Sequence, residues 1–137
     1  MPPPNLALDQ VLAVVAGLSD AASAAVFVVG DGPEDLQLAA SYELPEPAAV
    51  ALAAAVRNPQ HPIARTGSTS VAGYDVRPTA PGGPALRTHL PLVSRRDGSG
   101  QMVGVLALSH EEPIPVDLRA VLEAGAQLLA AIIDRRP

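Results

Sequence analysis

A strand–turn–strand pattern followed at once by a long helix constrains the fold of this chain most strongly. Two apolar runs of strand length within Leu86–His110 flank the polar stretch Ser94–Gly100. The Asp-Gly and Ser-Gly pairs in that stretch supply the positive φ angles that a tight reversal needs. The sequence therefore predicts an antiparallel hairpin here. Apolar residues at helical spacing then predict a terminal helix from about Val116 to Arg135.

Periodicity and turn residues predict the elements that precede this hairpin. In chain order they are a helix ending near Ser19-Asp20, strands at Ser23–Gly30 and Leu36–Tyr42, a helix from Pro45 to about Arg57, a helical turn at His61–Gly67, a short strand at Ser68–Ala72 and a loop at Gly73–Pro84. The first strand is apolar on both faces, which predicts a central position in a sheet and places the second strand at an edge. In that second strand, Leu36, Leu38 and Ala40 are expected on one face.

Consecutive strands joined by tight turns imply an antiparallel sheet with segregated helices, which is an α+β fold. We expect a central sheet of five to six strands. The N- and C-terminal helices should pack on one face, and loops and short helices on the other. The chain is expected to form a single domain over residues 1–137, with residues 1–5 as a disordered leader.

The composition excludes several classes of function. The chain has no Cys and no Lys, and its net charge is −5. Disulfides, cysteine-ligated metals and thiol catalysis are therefore ruled out, and nucleic-acid binding is not expected. The three histidines match no compact metal motif, and no serine lies in a nucleophile-elbow context. We expect no enzyme activity, no metal, no cofactor, no membrane span and a cytoplasmic location.

The order of elements, with Leu90-Pro91-Leu92 and Met102–Leu108 as its firmest motifs, resembles a GAF domain over roughly residues 6 to 135. The resemblance implies a sensory or regulatory module of the PAS and profilin-like superfamily. The chain departs from some branches of the family. It lacks the Asn-Lys-Phe-Asp-Glu set of cyclic-nucleotide binders, and it lacks the Cys that bilin attachment and free-methionine sulfoxide reduction require.

Arg87 and His89 are the first candidate site residues. They alternate with core-facing leucines, so they should point to the sheet face opposite the terminal helices. The resemblance implies that this is the ligand side, where an arginine could hold a carboxylate or a phosphate. The alternative is a solvated strand face. Tyr74 and Tyr42 could close a pocket or merely cover a thin core, and Arg65 could join Arg87 from the preceding segment.

The sequence thus predicts a non-catalytic sensory module in signal transduction or transcriptional control, with a small anionic metabolite as its ligand. A ligand-free dimerisation scaffold of the roadblock kind is the alternative. Either role predicts a homodimer through the terminal helices. His110-Glu111-Glu112 is expected to be a solvated loop. The preference for Arg over Lys, with abundant Ala, Gly and Pro, indicates a GC-rich genome, and a bacterial origin is expected.

Overall fold

The computed structural model describes residues 6–31, 35–77, 86–95 and 100–134. Within these ranges the chain forms four helices and five strands. In chain order they are α1 (Leu6–Leu18), β1 (Ser23–Val29), β2 (Leu36–Tyr42), α2 (Glu46–Ala55), α3 (Pro62–Thr69), β3 (Gly73–Val76), β4 (Leu86–Ser94), β5 (Gln101–His110) and α4 (Val116–Asp134).

The strands form one antiparallel sheet in the order β2-β1-β5-β4-β3. β4 and β5 pair from Leu86 opposite His110 to Ser94 opposite Gln101, which confirms the predicted hairpin. β1 lies inside the sheet and β2 lies at its edge, as the apolar character of the first strand predicted. The predicted α+β class with a central antiparallel sheet is therefore confirmed.

The terminal helices α1 and α4 pack on one face of the sheet and against each other. Their buried leucines, including Leu12, Leu122 and Leu129, form the larger core together with residues of β1, β4 and β5. A Cβ at Gly125 of α4 would lie 2.8 Å from Cγ2 of Val15 on α1. The absence of a side chain at Gly125 therefore permits the close approach of the two helices.

The shorter helices α2 and α3 cover the other face of the sheet. A second core there joins the lone phenylalanine, which is fully buried, to small aliphatic residues; its members are Ala25, Phe27, Leu36, Val56, Ile63, Val105 and Ala107. His61 caps α3, because its Nδ1 accepts a hydrogen bond from the backbone N–H of Ile63 at 3.1 Å. The predicted segregation of helices to the two faces is thus confirmed.

A bulge changes the alternation of β2. Val26 pairs with Ala40, but the next residue, Phe27, pairs with Leu38, so β2 carries one extra residue at this point. Leu38 lies on the α2–α3 side, whereas Ala40 joins the core under the terminal helices. The prediction that Leu36, Leu38 and Ala40 share one face is wrong, because an inserted residue inverts the period-two pattern.

The boundaries of α3 and β3 also differ from the prediction. α3 continues through Gly67 to Thr69, and Ser70 takes the left-handed cap conformation with φ 57. The strand predicted at Ser68–Ala72 is wrong. The actual strand, Gly73–Val76, occupies the start of the segment interpreted as a loop. Four residues are too few for a periodic signal, so the sequence pattern could not identify it.

Some predicted features lie outside the described residues: the leader at 1–5, the loop tip at 32–34, residues 78–84 of the predicted loop, the hairpin turn at 96–99 and the C-terminal residues 135–137. Among the helices that the structure does describe, none combines the length and apolarity needed to cross a membrane. The single domain and the cytoplasmic location stay predictions.

Candidate functional site

β4 places Arg87 and His89 on the sheet face that α2 and α3 cover. The alternating residues Leu90 and Leu92 belong to the core under the terminal helices. His89 lies opposite Ala107 of β5, which belongs to the second core. The predicted orientation of Arg87 and His89, away from the terminal helices, is therefore confirmed.

Arg87 lies at one end of a line of polar residues that crosses four strands. It pairs with Ser109 of β5, and Ser109 pairs with Ser23 of β1. Ala24 pairs with Tyr42 of β2, so the next residue, Glu43, follows at the end of β2 beside Ser23. We call these four residues the polar row. Neighbouring strands lie about 4.8 Å apart, so the backbone of the row spans about 14 Å.

The polar row lines a surface cavity of about 430 Å³. Glu43 has a left-handed backbone with φ 50, and the chain turns there into Pro45, which caps α2. The wall opposite the sheet is apolar and is formed by Leu44, Pro45, Ala48 and Leu52, with Ala22 beside them. The described lining of the cavity thus combines one carboxylate, one guanidinium and two hydroxyl groups with an aliphatic wall.

His89 lies close to Arg87 but does not line this cavity. Its side chain is 4% exposed. Burial, with the neighbouring His61 and Arg87 acting in the same direction, lowers the pKa of His89 to about 4. The ring is consequently neutral at pH 7 and supplies no charge to an anion. His89 belongs to the interface between β4 and α3 rather than to the cavity.

The other predicted site residues lie elsewhere. Tyr42 and Tyr74 both pack against the core under the terminal helices, on the face opposite Arg87. The hydroxyl of Tyr74 donates to Oε2 of Glu123 at 2.9 Å, and burial with this hydrogen bond raises the pKa of Tyr74 to about 12. Arg65 is exposed on α3 and does not line the cavity. The structure therefore does not bring the five predicted residues together.

Sequence reasoning did not identify a buried polar cluster that joins β3, β4 and β5. Thr88 is fully buried and lies 2.8 Å from Nε2 of His110, which is 1% exposed. The carbonyl of Glu112 lies 2.7 Å from Nδ1 of His110, so a proton on Nδ1 leaves Nε2 as the acceptor for the Thr88 hydroxyl. The prediction of a solvated loop is wrong for His110, because these hydrogen bonds satisfy its ring inside the fold.

Asp75 extends this cluster to α4. Its backbone N–H donates to Thr88 Oγ1 at 3.2 Å, and its carboxylate accepts from Ile114 N at 2.9 Å and from Arg119 Nη2 at 3.4 Å. Arg119 also stacks on the ring of Tyr74, 4.3 Å from its centroid. Thr88 and His110 are almost completely buried, so this hydroxyl–imidazole pair joins β4 to β5 inside the fold, while the Asp75 carboxylate joins β3 to Arg119 of α4. Within the described ranges no cluster of His, Asp and Glu could hold a metal ion.

Known structures share this fold at low sequence identity. The GAF domain of an Acinetobacter phosphoenolpyruvate-protein phosphotransferase has a TM-score of 0.72 and 15% identity, over 98% of this chain and 84% of that one. The second GAF domain of DevS from Mycobacterium smegmatis has a TM-score of 0.71 and 17% identity, over 96% of this chain and 94% of that one. The GAF domain of a phosphoenolpyruvate-protein phosphotransferase from Coxiella burnetii has a TM-score of 0.72 and 16% identity, over 98% of this chain and 84% of that one.

These comparisons show the fold. No family model matches the chain, and no curated protein matches its sequence. The predicted GAF-like architecture is nevertheless confirmed, because the neighbours match nearly the whole chain.

Proposed function

We propose that this chain, which has the fold of GAF domains, is a non-catalytic regulatory module that binds a small anion in the cavity beside Arg87. The observation that carries the proposal is the half-buried residue Arg87 in the lining of a cavity of about 430 Å³. A guanidinium keeps its charge at any physiological pH and matches carboxylate and phosphate geometry. Ser23 and Ser109 add two hydroxyl donors beside it.

A binding role is better supported than catalysis. The described lining of the cavity contains two serines but no histidine that could activate them. The Thr88–His110 pair is buried on the other face of the sheet. A regulatory role in signal transduction or transcriptional control rests on the fold shared with GAF domains, and fold alone does not determine function.

A thermal-shift screen of small carboxylates and nucleotides tests the proposal. A ligand present at a hundredfold excess over its dissociation constant stabilises the fold by about 2.7 kcal/mol. We expect hits with the wild type, loss of those hits with Arg87→Ala, and their retention with Arg57→Ala, an exposed control outside the cavity lining. Hits that survive in Arg87→Ala would place the ligand elsewhere and refute the proposal.

The second candidate function is a ligand-free dimerisation scaffold, and one specific observation favours it. α4 exposes an apolar stripe at helical spacing, formed by Val121, Ala124, Leu128 and Ala131. Val14 and Leu18 of α1 are also exposed, by 61% and 53%. Exposed apolar stripes on two packed helices are typical of an interface with a second copy. A dimer that gives no hit in the screen would favour the scaffold.

A further inference from the structure

The N-terminal cap of α3 uses an atom that can be protonated. His61 precedes Pro62, the first residue of α3, and its Nδ1 accepts a hydrogen bond from the backbone N–H of Ile63 at 3.1 Å. A neutral imidazole has one N–H and one basic nitrogen, so Nδ1 accepts only while Nε2 carries the proton. A second proton would bind to Nδ1. The nitrogen that caps the helix is therefore the same nitrogen that is protonated in acid.

Protonation of His61 would remove this cap completely. An imidazolium ion donates from both ring nitrogens and has no acceptor, so the N–H of Ile63 would lose its partner. The new positive charge would also lie at the N-terminus of a helix, where the helix dipole disfavours cations. α3 is only eight residues long, and so short a helix depends on its cap and its packing.

A second histidine lies beneath α3. His89 of β4 is 4% exposed and is close enough to His61 and Arg87 for both to act on its charge. Arg65, one turn after His61 on α3, is a further cation at the surface. Within the described residues neither imidazole forms an ion pair with a carboxylate. Protonation of the two rings would therefore bring like charges together in the interface between α3 and the sheet.

The other strands beside His89 do not supply a compensating negative charge. β5 places Ala107 opposite His89, and β3 places Gly73 there. The carboxylate of Asp75 on β3 binds Ile114 and Arg119 on the α4 side of the fold. An added proton at this interface consequently has no counter-ion among these residues.

The titration of both rings gives the sign of the effect. Burial lowers the pKa of His61 below its ordinary value of 6.5. Burial, with His61 and Arg87 acting in the same direction, lowers the pKa of His89 to about 4. Both rings therefore bind protons more readily when they are exposed to water. The attachment of α3 should be strongest above the ordinary histidine pKa of 6.5 and should weaken as the pH falls toward about 4.

Few contacts oppose the release of α3. Its buried residues are Ile63, Thr66 and Gly67. Ile63 belongs to the second core, which also contains the fully buried Phe27. Release of the helix would therefore uncover part of an apolar core that is closed at neutral pH.

From these observations we propose that acid releases α3 from the sheet before the rest of the fold unfolds, through protonation of His61 at the cap and of His89 beneath the helix. The device does not depend on a ligand in the cavity beside Arg87. It makes the cover on this side of the second core sensitive to pH.

Amide hydrogen exchange of the full chain in low concentrations of urea tests the proposal. After correction for intrinsic exchange, the amides of α3 should open roughly tenfold or more often at about pH 5 than at about pH 7.5. This opening should depend only weakly on urea, because little surface is exposed when one short helix is released. The amides of β1 and β5 should instead exchange through global unfolding, with a strong dependence on urea.

Two substitutions of His61 isolate the cap. His61→Asn keeps a side-chain acceptor that does not titrate, so it should reduce the acid response of α3. His61→Ala removes the acceptor at every pH, so α3 should open roughly fivefold more often than in the wild type already at neutral pH. Combining His61→Asn with His89→Gln should make the opening of α3 nearly independent of pH between about 7.5 and about 5. The melting temperature of each variant shows whether it is folded.

Two results would overturn the proposal. In the first, the amides of α3 exchange at both pH values only together with those of β1 and β5, with the same urea dependence, so that α3 stays attached until the whole fold unfolds. In the second, His61→Asn opens in acid as much as the wild type, so that the cap is not the group that responds. The second result decides the question even if the double variant does not fold.

Discussion

At the scale of single residues, His89 gives the chain a predicted dependence on pH. Its folded-state pKa of about 4 lies below the ordinary value of 6.5, so between these values the unfolded chain binds a proton that the folded chain does not. The free energy of unfolding should therefore fall as the pH falls from about 6.5 to about 4, by up to about 3 kcal/mol. Burial lowers the pKa of His61 as well, which acts in the same direction.

Urea denaturation across this pH range measures the effect. The wild type should have a nearly constant stability between about pH 7.5 and about pH 9, where both histidines are neutral in the folded and unfolded chains. His89→Gln should lose much of the acid destabilisation, because it removes the buried basic nitrogen. A pH dependence identical in His89→Gln and in the wild type would contradict the assignment.

Gly104 is a second residue whose substitution has a predictable sign. A Cβ at this position would collide with the backbone carbonyl oxygen of Phe27 on the neighbouring strand, and that oxygen cannot move aside. Gly104→Ala should destabilise the fold by about 1–3 kcal/mol, and Gly104→Val at least as much. Gly17 in α1 has open space around it, so Gly17→Ala should instead stabilise by about 0.5–1 kcal/mol. Equal denaturation midpoints for the two alanine variants would refute the argument.

At the scale of elements, Asp75 of β3 binds the backbone of Ile114, just before α4, and the side chain of Arg119 within α4. Asp75→Ala should cost about 1–3 kcal/mol, because it leaves the Ile114 N–H without its acceptor. It also places alanine at φ 54, where asparagine is better tolerated. Asp75→Asn keeps an acceptor oxygen and should cost clearly less. If both variants unfold at the urea concentration of the wild type, β3 is held by other contacts.

The elements themselves were largely predictable from sequence, and the exceptions have physical causes. The β4–β5 hairpin and α4 follow from strong periodicity and turn chemistry. The bulge at Ala39 of β2 leaves no signal, because an inserted small apolar residue looks like a continued strand. β3 is short and takes much of its support from Asp75, whose partners lie 39 and 44 residues away in sequence.

At the scale of the whole molecule, the exposed stripe of α4 predicts a homodimer. Val121 is 45% exposed and Leu128 is 52% exposed, on the helix face turned away from the sheet. Light scattering at high micromolar concentration should show two chains per particle. Val121→Glu combined with Leu128→Glu should give monomers, because charged side chains would be buried at the contact.

Val50→Glu is the matched control for this prediction. Val50 is 64% exposed on α2, on the opposite side of the sheet, so this variant should remain dimeric. A monomeric wild type would refute the interface and would also remove the support for the scaffold function.

The candidate site was only partly predictable, because its residues meet through long-range register. Arg87 could be assigned to the correct face from alternation alone. Ser23, Ser109 and Glu43 join it only once β4, β5, β1 and β2 are aligned, and nothing in their local sequence marks them. The position of Tyr42 near a strand end predicts that it shares a pocket with Arg87, yet Tyr42 packs on the opposite face of the sheet.

The most direct test of a ligand cavity on the α2 side of the sheet is an NMR titration. ¹⁵N-labelled protein is titrated with the small carboxylates and nucleotides of the thermal-shift screen, and the backbone amide shifts are mapped on the fold. The largest changes should occur in the cavity lining, at Ser23, Leu44, Ala48, Arg87 and Ser109. Changes confined to α1 and α4, or no changes with any of the screened compounds, would contradict this prediction.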